Sequence, residues 1–129
     1  MPSNFVVLIV DHHPGLLTVL SAFVESMPRV RVLSTCDFGR AAVWIAAEKR
    51  IDLVLASVWL RGDFNGLHVA ELAVATHSEA AVVMMSSTGR SSIQGLSDKH
   101  AFIRKPFGVQ ELMEQFDDAF IRLHKISPV

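Results

Sequence analysis

The sequence predicts an α/β domain: a doubly wound, five-stranded parallel sheet with helices on both faces. Segments typical of strands and of helices alternate five times along the chain, and this alternation favours parallel strands joined by right-handed crossovers. Half of the residues are hydrophobic, which suits strands that are covered on both faces. A chain of 129 residues is expected to form one domain over residues 1–129, with a core from about 5 to 124 and no effector domain.

Each predicted strand is a short apolar or β-branched segment bounded by polar residues or glycine. The five strands are predicted at residues 5–10, 30–33, 53–56, 80–85 and 101–103. Helices are predicted between and after them, at residues 14–27, 38–49, 66–76, 91–96 and 109–124. Pro14 supports the start of the first helix, because its missing N–H would be unpaired in the first turn anyway.

The last two predicted helices differ in strength. Residues 86–97 are rich in serine and glycine, whose conformational preferences oppose a helix. The fourth helix is therefore expected to be short or partly melted. In the last helix, apolar residues recur at helical spacing and predict a single stripe that faces the core: Val109, Leu112, Met113, Phe116, Phe120 and Leu123.

Composition argues against several classes of function. Twelve basic and thirteen acidic residues leave a net charge of -1, so no basic surface for nucleic acid or an anionic membrane is expected. The longest apolar segment, residues 41–47, is far shorter than the roughly 20 residues of a membrane helix. The single cysteine, Cys36, excludes an internal disulfide and is expected in the interior. A cytoplasmic protein is predicted.

Four short motifs follow or end predicted strands. Asp11 follows the first apolar run, Ser57 ends the run from Asp52, Ser86 follows Met84-Met85, and Lys105-Pro106-Phe107 follows the fifth strand. In this order and spacing they resemble the receiver domain of two-component response regulators, from about residue 5 to 123. The resemblance implies a flavodoxin-like (βα)5 fold and a phosphorylation switch. It also places the switch residues in one crevice, since ligands of open parallel sheets bind at the carboxyl ends of the strands.

The resemblance implies a role for each position, and two positions depart from it. In receivers an acidic pair after the first strand holds Mg²⁺, and an aspartate at the end of the third strand accepts the phosphoryl group. Here the pair reads Asp11-His12, and Ser57 stands at the phosphoacceptor position. Because Mg²⁺ requires oxygen ligands, its binding is expected to be weak or absent, and no cofactor or metal site is predicted. Three consecutive residues, Asp11-His12-His13, rarely converge on one ion.

Other positions match the family. The resemblance assigns Ser86 and Lys105 to phosphate binding and Phe102 to the aromatic residue that moves on activation. It also makes Pro106 a candidate for a cis peptide bond. Lys105 is expected to retain an ion pair with Asp11.

A loop beside the crevice is unusual. In residues 58–66, Arg61 replaces the proline of the family, and one extra residue precedes Gly66. Trp59 and Phe64 in this loop are expected to be exposed aromatics that contact a partner, or else to tuck against a helix.

These features favour a degenerate receiver without enzymatic activity. It would bind a protein partner such as a histidine kinase, another response regulator or a second copy of itself, independently of phosphorylation. An alternative is unconventional phosphorylation on Ser57 or Asp63, although an alcohol needs a base to activate it. A remote alternative is a hydrolase that uses Ser57, His12 and Asp11; adjacent strand residues point to opposite faces, and the Gly-x-Ser-x-Gly elbow is missing.

Overall fold

The computed structural model describes residues 5–122, and their side chains as far as Ala119. Five strands and four helices follow one another in this part of the chain: β1 Phe5–Val10, α1 Pro14–Glu25, β2 Val30–Thr35, α2 Phe38–Ala47, β3 Leu53–Ser57, α3 Gly66–Thr76, β4 Ala81–Ser86, β5 Ala101–Arg104 and α4 Val109–Arg122. Within residues 5–122, none of the helices has the length and apolar character needed to cross a bilayer.

The strands form one parallel sheet in the order β2-β1-β3-β4-β5. The strand order reverses between β1 and β3, so their carboxyl ends border the crevice in which such sheets bind ligands. The register brings Val10 level with Ala56 and Ser86 level with Arg104. The predicted fold class is confirmed: a doubly wound, flavodoxin-like receiver fold.

Alternate residues of the strands build two cores, one on each face of the sheet. On one face Leu8, Val54 and Met84 pack beneath α2 and α3. On the other, Ile9 and Leu55 and their neighbours pack beneath α1 and α4. This period of two follows from the alternation of side chains along a strand, and burial on both faces leaves the inner strands β1, β3 and β4 apolar along nearly their whole length.

The last helix presents the predicted stripe to the second core. Leu112, Phe116 and Ala119 are buried there, and Met113 is packed against them. Val109 lies outside the core, because its side chain is 60% exposed at the first turn of the helix. Phe120 and Leu123 belong to the predicted stripe but fall outside the side chains that the structure describes.

Several element boundaries differ from the prediction. β2 continues to Thr35 because Ser34 and Thr35 pair with Ile9 and Val10 of β1, although neither is apolar. α2 ends at Ala47, since Glu48 leaves the helical conformation with a ψ of 138°. The prediction for Cys36 was wrong: this residue is exposed, because it lies in the bend between β2 and α2.

The connection from β4 to β5 contains no α-helix. Its only helical part is the 3₁₀ turn Arg90–Ser92, which confirms the expectation of a short or melted fourth helix. Arg90 Nη2 stabilises the connection by donating to the carbonyl oxygens of Ser97 and His100, at 2.9 Å each. Ile93 is buried in the core beneath α2 and α3. Burial, and then the positive charge of Arg90, lower the pKa of His100 below its ordinary value.

Candidate functional site

The predicted site residues lie together at the carboxyl edge of the sheet. Asp11 follows β1, Ser57 ends β3, Ser86 ends β4 and Lys105 follows β5. The backbone N–H of Lys105 donates to the carbonyl of Ser86 at 2.8 Å, which ties the ends of β4 and β5. The peptide bond between Lys105 and Pro106 is cis, the isomer that the resemblance implied.

An ion pair occupies the centre of the crevice. Lys105 Nζ lies 2.7 Å from Asp11 Oδ2 and 3.3 Å from Ser57 Oγ. The Asp11 side chain is fully buried, and that of Lys105 is 18% exposed. The expected pairing of Asp11 with Lys105 is confirmed by this contact. A buried carboxylate requires such a partner, because the loss of hydration is otherwise uncompensated.

The second carboxylate oxygen of Asp11 is also engaged. Oδ1 accepts the backbone N–H of His13 at 2.8 Å. His13 in turn caps α1, since its Nδ1 accepts the N–H of Leu16 at 3.1 Å. Asp11 therefore joins the end of β1, the start of α1 and Lys105 in one network.

Ser57 and His12 converge on a single carbonyl group. Ser57 Oγ donates to the carbonyl oxygen of Trp59 at 3.3 Å, and His12 Nδ1 donates to the same oxygen at 2.8 Å. This second bond places the proton of a neutral His12 ring on Nδ1. The loop after β3 is thus tied to the loop after β1, a link that the sequence analysis missed. No local pattern signals it, because the two residues are 47 positions apart.

Ser86 and Phe102 lie at the β4–β5 side of the site. Ser86 is buried; its Oγ accepts the N–H of Thr88 at 3.1 Å and lies 3.0 Å from Thr88 Oγ1. Thr88 was not singled out from the sequence, although a hydroxyl two residues beyond a serine is a common local partner. Phe102 is partly buried and packs against the core beneath α2 and α3.

The loop of residues 58–66 is held at the end that leads into α3 by a hydrogen bond and by close packing at Gly66. Gly66 N donates to the carbonyl of Val58 at 2.8 Å. A Cβ atom at Gly66 would lie only 1.8 Å from the carbonyl oxygen of Ser57. Gly66 is therefore needed for α3 to start directly against the end of β3. Asn65 completes this start, since its side chain accepts the N–H groups of Leu67 and His68.

The two aromatic residues of the loop are about half exposed. Trp59 is 50% and Phe64 49% exposed. Phe64 also stacks on Phe38 at the start of α2, with the ring centroids 4.7 Å apart, and meets the edge of His68. The sequence left open whether these aromatic side chains are exposed or tuck against a helix. Trp59 is exposed, whereas Phe64 is both exposed and packed against the start of α2.

The residues of the crevice do not fit Mg²⁺. Among the predicted site positions in the crevice, only Asp11 has an acidic side chain. Both oxygens of the Asp11 carboxylate already accept hydrogen bonds. In the described part of the chain, no group of three or more His, Cys, Asp and Glu side chains could hold a metal ion. The other buried carboxylate there, Asp52, stands before β3, at the opposite end of that strand from Ser57, where it accepts bonds from Val6 N and Arg50 Nε.

The geometry also opposes the hydrolase alternative. The carboxylate of Asp11 accepts from Lys105 and from the backbone of His13, and the ring of His12 donates to a carbonyl oxygen. Ser57 Oγ donates to the same carbonyl. The order Asp–His–Ser that activates a serine nucleophile is thus replaced by bonds to other groups.

Comparisons with known proteins agree with this fold. The family model of the response regulator receiver domain matches residues 7–117. A response regulator receiver protein from Sinorhizobium medicae superimposes with a TM-score of 0.82 at 17% identity, covering 93% of this chain and 97% of that one. For a CheY-like receiver domain protein from Methanospirillum hungatei the TM-score is 0.82 at 22% identity, with 95% and 98% covered. NtrX from Brucella abortus gives 0.81 at 22% identity, with 94% of this chain but 28% of that chain covered. No curated protein sequence matches the chain. The match to the family model, over most of the sequence, shows that this chain belongs to the response regulator receiver domain family.

Proposed function

We propose that this receiver domain is a pseudo-receiver: a cytoplasmic protein-binding module of two-component signalling that works without aspartyl phosphorylation, enzymatic activity or Mg²⁺. The observation that carries the proposal is the identity and bonding of the residue that ends β3. Ser57 is buried there, and its hydroxyl lies between Lys105 Nζ and the carbonyl of Trp59. An acyl phosphate forms only on an attacking carboxylate.

The internal ion pair supports the same proposal. In a receiver that is phosphorylated, the lysine neutralises phosphoryl oxygens. Here Lys105 Nζ donates to Asp11 Oδ2 at 2.7 Å and to Ser57 Oγ at 3.3 Å, so two of its three protons are engaged within the domain. Hydrogen bonds run from Lys105 to Ser57, and from Ser57 and His12 to the carbonyl of Trp59. They hold the loops after β1 and β3 in one arrangement. A domain held in this way would present the same surface at all times.

The loop of residues 58–66 is the surface we propose for partner binding. Trp59 and Phe64 each leave about half of the side chain exposed, and tryptophan is enriched among residues that dominate binding energy. The backbone of Trp59 is held by two hydrogen bonds, and the ring of Phe64 by stacking on Phe38. Because these groups are already ordered, binding through them would cost little conformational entropy. The proposed partner is a histidine kinase, another response regulator or a second copy of this chain.

Intact mass spectrometry tests the absence of phosphorylation. After treatment with acetyl phosphate or with a phosphorylated histidine kinase, we expect an unchanged mass. An acid-stable adduct on Ser57 would instead support modification by a serine kinase. An acid-labile adduct on Asp63, which lies in the exposed part of the loop, would show a substitute acceptor and refute the pseudo-receiver proposal.

A pair of matched variants tests the surface. Once a partner has been identified by capture and mass spectrometry, Trp59→Ala should weaken its binding by at least about 1 kcal/mol without unfolding the domain. Val19→Ala serves as the control, since Val19 is 65% exposed on α1, away from the loop. Unchanged binding by both Trp59→Ala and Phe64→Ala would refute this location. Loss of binding in Val19→Ala alone would transfer the interface to the first and last helices.

A further inference from the structure

A cleft of about 430 Å³ opens beside the ion pair. Three apolar side chains form part of its wall: Leu16 from the first turns of α1, and Pro106 and Phe107 from the segment after β5. His12, His13 and Lys105 line it as well. A mainly apolar wall with a few convergent polar groups, at a volume within roughly 300–1,000 Å³, is typical of small-molecule sites.

Two polar side chains of this cleft, Lys105 and His13, can donate hydrogen bonds to a ligand. Lys105 Nζ carries three protons, of which two are directed to Asp11 and Ser57; the third has no described partner. The Nδ1 atom of His13 accepts the N–H of Leu16, so a neutral His13 ring carries its proton on Nε2 and can donate it. Thus both cationic and neutral donors occur in the wall.

Carboxylates are missing from the described lining of the cleft. Asp11 pairs with Lys105 but is fully buried behind it and forms no part of the wall, whereas Lys105 is 18% exposed. A further cation lies close by, because Arg104 Nε donates to the carbonyl of Ser87, another residue of the lining. The field that a ligand meets in the cleft therefore favours negative charge.

We propose that this cleft binds a small organic carboxylate with a compact apolar body. The carboxylate would accept hydrogen bonds from Lys105 Nζ and from Nε2 of His13, and the body would cover Leu16, Pro106 and Phe107. Inorganic phosphate fits less well, since it would leave the apolar wall exposed to water. This inference does not depend on the pseudo-receiver function, because it rests on the lining of the cleft and not on the partner surface.

NMR titration with three probe carboxylates tests the proposal: benzoate, 4-phenylbutyrate and octanoate. At least one should give saturable shifts at millimolar concentration in the backbone amides of His12, His13, Leu16, Lys105 and Phe107. The uncharged analogue 4-phenylbutyramide should bind about tenfold more weakly than 4-phenylbutyrate, as expected when one charge-assisted hydrogen bond is lost. Inorganic phosphate should also bind more weakly than the best carboxylate.

Variants distinguish this cleft from adventitious binding. Leu16→Ala should weaken binding of the best probe at least about fivefold, whereas Val19→Ala, an exposed position on the same helix, should leave it unchanged. Phe107→Ala replaces Leu16→Ala as the test if the latter loses its native spectrum. The proposal is overturned if none of the three carboxylates saturates, if the amide binds as tightly as the acid, or if the shifts map elsewhere.

Discussion

Replacing Lys105 with methionine is expected to destabilise the domain by about 3 kcal/mol. Asp11 is fully buried, so Lys105→Met leaves its charge with only the N–H of His13 as a described partner. Breaking a buried ion pair by removing one partner costs roughly 3–5 kcal/mol. The lower end applies here, because Lys105 is 18% exposed and one hydrogen bond to Asp11 remains. This loss is a large fraction of the roughly 5–15 kcal/mol that stabilises a typical domain.

Urea unfolding, followed by circular dichroism, measures the effect in a double-mutant cycle. Asp11→Asn should be less costly than Lys105→Met, since it leaves the partly exposed ammonium and not a buried carboxylate. The Asp11→Asn/Lys105→Met double variant should be more stable than Lys105→Met alone, with a coupling energy of up to about 3 kcal/mol. A cost below about 1 kcal/mol for Lys105→Met, or purely additive effects, would show that the pair does not stabilise the crevice.

Three further predictions follow from the site and its surroundings. Gly66→Ala should lower the free energy of unfolding in urea by about 3 kcal/mol, the upper end for overpacking, because the added Cβ meets backbone that cannot move aside. Gly108→Ala, with open space around the added Cβ, should be nearly neutral. Ser57→Asp with His12→Asp should recover Mg²⁺ binding by NMR, and Ser57→Asp alone should recover less, because the ion gains from each oxygen ligand; folded variants that ignore Mg²⁺ would contradict the assignment of these positions. The pKa of His100 is lowered by burial and by a neighbouring guanidinium, so the unfolded chain binds more protons and this residue's contribution to stability is lost as the pH falls below about 6.5. His100→Gln should therefore flatten the decline of stability in acid, and an unchanged slope would refute that contribution.

Much of the fold could be predicted because its signals are local. Each buried strand reads as a short apolar run, and the serine- and glycine-rich stretch before β5 reads as a poor helix. The errors lie where pairing between strands overrides the preference of the local sequence. Ser34 and Thr35 are polar, yet β1 pairs with them and carries β2 two residues further. Cys36 then lies in the bend that leads to α2, where it is exposed and not interior as predicted.

The candidate site was predicted as a set of positions with one of its contacts, the Asp11–Lys105 ion pair, but its other hydrogen bonds were not predicted. The order of Asp11, Ser57, Ser86 and Lys105 along the chain, each at the end of an apolar run, was enough to predict that they meet at one edge of a parallel sheet. Their residue types were enough to predict that phosphoryl transfer through an aspartate is disabled.

Apart from the Asp11–Lys105 pair, only the tertiary structure decided which polar groups of the site satisfy one another. Lys105 and Ser57 are 48 positions apart, and their contact depends on how the ends of β3 and β5 are brought together across the sheet. The same holds for His12, which donates to a carbonyl of a distant loop. A buried polar group must find a partner within about 3 Å, and that distance is set by packing between elements, which no local sequence pattern encodes.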